Sequence, residues 1–113
     1  MTDHRVFELR TYYAMPGKLA ALHRRFQDHT FALFAKHGLE LVAFLAATDE
    51  PDKTNTLVYL LTFPDRESAT RSWRAFQTDP DWIAAKAASE IDGPLVDHLD
   101  SIYLEPTADS PLM

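Results

Sequence analysis

The sequence predicts an α+β domain of the split βαβ, ferredoxin-like kind, one antiparallel four-stranded sheet with helices on one face. Three observations carry that reading. Hydrophobic period switches between strand and helix in the order β-α-β-β-α-α-β along the chain. Two runs, Leu39 to Ala47 and Leu57 to Leu61, are almost continuously apolar, the pattern of strands covered on both sides rather than strands with one wet face. Finally, 113 residues supply one helical layer for one sheet face, so something else must cover the other. The simplest cover is a second copy of the chain, and a homodimer through the sheet face is expected.

Each element follows from period and punctuation. Arg5 to Tyr13 alternates as strand one, with Phe7, Leu9, Thr11 and Tyr13 on one face and Val6, Glu8, Arg10 and Tyr12 on the other. Met15-Pro16-Gly17 ends it. From Lys18 to His37, Leu19, Leu22, Phe26, Thr30 and Leu33 form one helical stripe, and Gly38 suits the left-handed residue that closes such a helix. Strand two then runs from Leu39 to about Ala47, a turn with Pro51 and three acids fills Thr48 to Lys53, and strand three occupies Asn55 to Phe63. Asp65 can cap the next helix, which places Ala69, Trp73 and Phe76 at i, i+4 and i+7. Asp79-Pro80 restarts a helix, because a capping Asp before Pro at the first helical position is a strong start signal. Gly93-Pro94 stops it, and a last strand runs from roughly His98 to Leu104. The whole reads as one domain over 1–113, ordered from about 5 to 106, with a polar tail to 113.

Composition removes several function classes. With 46% hydrophobic and 25% charged residues the chain is an ordinary globular one. No apolar stretch approaches the roughly 20 residues of a membrane span, and the N-terminus lacks the basic-then-apolar order of a signal peptide, so a cytoplasmic protein is expected. The chain has no cysteine, which removes disulfides, thiolate catalysis and cysteine-held metals. A net charge of −6 argues against a nucleic-acid partner. The basic doublet Arg24-Arg25 reads as a solvated helix face.

The residues also carry a resemblance. Glu8-Leu9-Arg10-Thr11-Tyr12, followed by Pro16-Gly17-Lys18-Leu19 and then Lys36-His37-Gly38, resembles the first half of a NIPSNAP domain. Asn55-Thr56-Leu57-Val58-Tyr59, Asp79-Pro80-Asp81-Trp82 and Ser110-Pro111-Leu112 resemble its third strand, helix break and C-terminal signature. One departure is Leu45 after Phe44, where the resemblance leads to an aromatic pair; a pocket lined there by Trp in relatives would differ here. The resemblance implies a dimeric α+β barrel, two ferredoxin-like sheets packed face to face. Its wider superfamily includes cofactor-free monooxygenases, lactone isomerases, haem-using enzymes and stress-responsive proteins. Members of the family itself have no settled reaction, with vesicle trafficking and mitochondrial quality control suggested for eukaryotic ones.

Candidate site residues each have two readings. His23, His29 and His37 lie on or beside the helical stripe and approach the sheet, but their spacings do not bring two imidazoles to one metal, so no metal and no cofactor is expected. Tyr12 and Tyr13 alternate across strand one, and the one facing the helices could donate a hydrogen bond to a substrate carbonyl or enolate, or simply pack. Arg10 could hold a ligand carboxylate or pair with Glu8 or a neighbouring acid. Phe26, Trp73, Phe76 and Trp82 read as core first and pocket wall second. Asp97-His98-Leu99-Asp100 is a solvated strand end, and Phe31 falls nearly opposite the buried stripe, exposed where it could touch a partner.

Three functions remain open from sequence. One is a dimeric NIPSNAP-type protein of unassigned role that binds a small apolar, aromatic or acyl ligand between helices and sheet. A second is a cofactor-free or haem-using oxygenase or isomerase in which Tyr12 or Tyr13, His23, His29 and Arg10 orient and deprotonate a phenolic or enolic substrate. The third is a non-enzymatic interaction module using an outer helix face with Phe31.

Overall fold

A computed structural model describes residues 5–49 and 55–111. The turn expected from Thr48 to Lys53 lies outside the described residues from position 50 on, as do the first four residues and Leu112 of the C-terminal signature. Alternation sets β1, Val6–Ala14, whose Glu8, Arg10 and Tyr12 turn toward the helices while Leu9, Thr11 and Tyr13 turn away. β2 is Glu40–Ala46, β3 is Thr56–Phe63 and β4 is Val96–Leu104. The sheet order is β2-β3-β1-β4 with every neighbouring pair antiparallel. Its register sets Arg10 between Tyr59 and Ser101, Tyr12 between Leu57 and Leu99, and Leu9 between Leu60 and Ile102. The last strand starts two residues before the expected His98, because the Met15 N–H bonds the Leu95 carbonyl at 2.8 Å and extends the pairing.

The long helix is not uniform. It consists of α1, Leu19–Arg25, a π turn, Phe26–Thr30, and α2, Phe31–Lys36. The Phe31 N–H reaches the Phe26 carbonyl five residues back, and Thr30 Oγ1 donates to the Arg25 carbonyl at 3.4 Å. A π turn adds one residue, so everything after it sits about 100° back on the helical wheel. That overturns the expectation of an exposed Phe31. Its ring packs on Phe26 at 5.7 Å and on Phe44 at 4.9 Å, beside the core. Arg25 departs from expectation as well: it is 6% exposed rather than solvated, because the last helix packs against this side of α1 and covers it.

Leu22, Phe26, Thr30 and Leu33 form the buried stripe, packing over Leu57, Tyr59 and Leu61 of β3. Gly38 closes α2 with φ +80°, and a Cβ there would meet Ser72 Oγ of the next helix at 3.3 Å, so backbone conformation and close approach both favour glycine. That helix, α3, spans Arg66–Thr78 and is capped by Asp65, whose side chain accepts from Ser68 N at 2.7 Å. α4, Pro80–Ser89, starts as the Asp79-Pro80 signal predicts, with Asp79 accepting from Asp81 N at 2.8 Å. The same carboxylate binds Lys36 Nζ at 2.8 Å and His37 Nε2 at 2.7 Å, tying the end of α2 to the α3–α4 break. No helix among the described residues is long and apolar enough to cross a membrane.

The helices lie on one face of the sheet, and the chain is 19 Å across its thinnest direction. On the other face Leu45 is 56% exposed, Ile102 53% and Leu104 41%. Tyr13 stacks on His98 at 4.1 Å and donates to Asp100 at 3.2 Å at one margin of that face, and Asp97 binds His98 Nδ1 at 2.7 Å in the exposed strand end foreseen there.

Candidate functional site

The inner face of β1 carries Glu8, Arg10 and Tyr12 at successive inward positions, and the register brings Tyr59 and Ser101 alongside. Glu8, 1% exposed, is the hub. Its Oε2 accepts from Arg10 Nη1 at 2.9 Å and Ser101 Oγ at 2.6 Å, and its Oε1 accepts from Trp73 Nε1 at 2.6 Å. A buried carboxylate with three donors and a matched cation is fully satisfied. Arg10 spends its other nitrogens on phenols, Nε on Tyr59 at 2.9 Å and Nη2 on Tyr12 at 3.0 Å, while its guanidinium lies 4.2 Å from the centre of the Trp73 ring. Burial opposes its charge, but the oxygens of Tyr12, Tyr59 and Glu8 outweigh burial and hold the guanidinium above its ordinary pKa.

Proton bookkeeping fixes the direction of this relay. Tyr59 and Tyr12 oxygens are 2.9 Å apart, and Tyr59 is completely buried. Burial, with Tyr12 next to it, pushes the Tyr59 phenol well above its usual pKa against the pull of Arg10, so it keeps its proton. If Tyr12 donated to Tyr59, the Tyr59 proton would be sealed in the core without an acceptor, which costs about 1–3 kcal/mol. Tyr59 therefore donates to Tyr12. The Tyr12 oxygen then accepts from both Tyr59 and Arg10, and its own proton has no acceptor among the described residues.

That proton meets a cleft of about 730 Å3. Tyr12 and Arg10 form its floor, Trp73, Phe76 and Gln77 of α3 one wall, and Trp82, Ile83, Lys86, Ala87 and Glu90 of the α4 region another, with Arg25 behind and Pro94, Val96 and Leu99 at the β4 side. The aromatic wall is continuous: Phe76 lies 5.7 Å from Trp73 and 4.6 Å from Trp82, and Arg25 sits 5.2 Å from the Trp82 ring centre. The cleft opens over β4 because the helices cover β3 and β1 and leave Leu99, on the inner side of the edge strand, 41% exposed.

The structure brings together Arg10, Tyr12, Trp73, Phe76 and Trp82 from the residues singled out by sequence. Phe26 stands just behind, its ring 5.7 Å from Tyr12. Tyr13 lies on the opposite sheet face. His23 is exposed against Phe44 at 5.6 Å, and His29 lines a separate shallow groove between the long helix and α4, so neither reaches the cleft. Among the described residues no group of three or more His, Cys, Asp or Glu could hold a metal ion. Arg25, Tyr59, Lys86 and Glu90 escaped sequence reasoning. Tyr59 had a signal in its shared strand parity with Leu57 and Leu61, and Lys86 and Glu90 in their i+4 and i+8 spacing from Trp82.

Comparison with known proteins agrees with this architecture. A NIPSNAP-like domain protein from Burkholderia xenovorans superposes with a TM-score of 0.82 at 21% identity, covering 97% of this chain and 91% of that one. A NIPSNAP family protein of unknown function from Agrobacterium tumefaciens gives 0.83 at 23% identity, covering 100% and 97%. SnoaB, a cofactor-independent oxygenase from Streptomyces nogalater, shares the fold at a TM-score of 0.60 and 19% identity, covering 97% and 99%. No curated protein matches the chain significantly. The NIPSNAP family profile matches residues 7–111, nearly the whole chain, and with the fold and the segments that resemble its signature the chain belongs to the NIPSNAP family.

Proposed function

We propose that this protein is a homodimeric small-molecule-binding NIPSNAP protein whose ligand lies in the cleft between α3, α4 and the sheet, its apolar body on Trp73, Phe76 and Trp82 and an oxygen on Tyr12. The observation that carries the reading is the Tyr12 hydroxyl, held by two donors so that its proton points to an acceptor that no described residue supplies. The partner copy would cover the apolar face around Leu9, Leu60 and Ile102. We further propose that it acts in the cytoplasm.

Thermal-shift screening against small phenols and acyl compounds tests it. A hit should lose about tenfold in affinity in Tyr12→Phe, where one hydrogen bond to ligand is removed. It should also be blocked by Ile83→Trp, which fills the mouth from an exposed position, while His23→Ala and His29→Ala leave it unchanged. A hit indifferent to Tyr12→Phe and Ile83→Trp would refute the site.

The same hydroxyl favours a second reading, an enzyme that stabilises a developing enolate or phenolate oxygen, because a donor backed by a guanidinium strengthens as charge develops on its acceptor. Deuterium exchange at the carbon next to a bound ketone, lost in Tyr12→Phe, and oxygen uptake with phenols check the isomerase and oxygenase forms.

A further inference from the structure

We infer that the cleft selects carboxylates: the ligand is an aromatic or acyl acid whose carboxylate lies at Arg25 and Lys86, while another oxygen meets Tyr12. This rests on the ligand-binding reading and specifies its chemistry. Arg10, Arg25 and Lys86 line the cleft against Glu90 as its one acid among the described residues, in a chain whose net charge is −6. Arg10 is already matched by Glu8 at 2.9 Å. The surplus therefore lies at the other end, with Arg25 and Lys86.

Arg25 is built for an anion it does not have. Its side chain is 4% exposed, yet both of its polar contacts come from one nitrogen, Nη1, to Ser89 Oγ at 3.1 Å and Glu90 Oε2 at 3.3 Å. Nε is sealed from solvent with no acceptor, and no described group accepts from Nη2. Nε is closed off from any ligand, so it is Nη2, open and without an acceptor among the described residues, through which this cleft-lining arginine can meet one. The guanidinium also lies 5.2 Å from the centre of the Trp82 ring, within cation–π range.

Lys86 lies one helical turn before Glu90 on the cleft side of α4 and adds a second cation that makes no ion pair among the described residues. The ligand carboxylate is assigned to Nη2 of Arg25 and Lys86 Nζ, two cleft-lining cations, with Glu90 as its competitor for Arg25. The aromatic wall from Trp82 through Phe76 to Trp73 then leads from this end to Tyr12. A neutral amide of the same shape can still accept from Nη2 but brings no negative charge to Arg25 and Lys86.

Isothermal titration of the full chain with a panel of aryl and acyl acids that carry a second oxygen, each beside its primary amide, decides this. The acids should bind about tenfold more tightly than their amides, the advantage shrinking as salt rises. Lys86→Ala should weaken the acids severalfold and leave the amides alone, and Glu90→Gln should tighten the acids by freeing Arg25. Arg25→Gln should abolish the preference. Should it fail to fold, the exposed Lys86 and half-buried Glu90 variants decide instead. Equal binding of acid and amide, or a Glu90→Gln that weakens the acids, overturns the carboxylate assignment and leaves the ligand cleft standing. Binding of neither across the panel overturns both.

Discussion

On the helix side of β1, Glu8, Arg10 and Tyr12 are met by Tyr59, Trp73 and Ser101 of the same chain, and every hydrogen bond but the Tyr12 proton is closed. On the other side Leu9 looks out between Leu60 and Ile102, with Leu45 and Leu104 more than a third exposed at the flanks. One strand thus presents a polar row that its own chain completes and an apolar row that it does not. A fold can be self-sufficient in hydrogen bonds and still lack hydrophobic cover, because polar groups are satisfied by a few well-placed partners whereas apolar surface needs area.

The strongest test of that contrast is Leu9→Glu. If a second copy covers the outer face, the wild type sediments at twice the chain mass, and a charge at the centre of the interface, costing several kcal/mol when buried alone, gives monomer or insoluble protein. A wild type that sediments at the mass of one chain would break the comparison.

Next comes the inner row. Glu8→Ala leaves Arg10 as an unpaired buried cation and strands the Trp73 N–H, so denaturant unfolding should show a loss of about 3 kcal/mol. Thr11→Val, on the same strand but facing outward, should stay within about 0.5 kcal/mol. Equal effects would mean that Glu8 is not the hub its contacts describe.

A smaller, pH-dependent effect belongs to Asp79. Lys36 and His37 hydrogen bonds, together with the Asp81 N–H, hold its carboxyl below the ordinary carboxylate range. A depressed pKa stabilises the fold above the unfolded value of about 3.9 and loses that contribution as pH falls through the folded value. Asp79→Ala should therefore melt several degrees lower than wild type near neutral pH, with the gap narrowing steadily below about pH 4. A gap constant with pH would assign the effect to packing alone.

Much of this was legible in the sequence, and the reasons are specific. The parity of Val6 to Tyr13 fixed which β1 side chains meet the helices, and Asp79-Pro80 announced the break between α3 and α4. Arg10, Tyr12 and the three aromatics of the cleft wall are identifiable because strand parity and helical spacing are local. Arg25 and Phe31 are not, since a single period of 3.6 was carried through a π turn that resets it, and since only the placement of α4 covers Arg25. The Tyr59 to Tyr12 hydrogen bond likewise depends on a pairing 47 residues apart in the chain, which no window along the sequence contains.

The π turn at Phe26–Thr30 also separates two duties that a regular helix would bind together. Upstream, α1 sets the angle at which Arg25 enters the cleft; downstream, α2 sets how Phe31 and Phe34 seat against the sheet. Loss of one residue from the exposed Gln27–Asp28 part of the turn would return the segment to a plain α-helix and leave both halves facing as they do now, because the turn already absorbs the extra residue. The turn is a place where the chain can gain or lose one residue in length while Arg25 keeps its aim and the core keeps its packing.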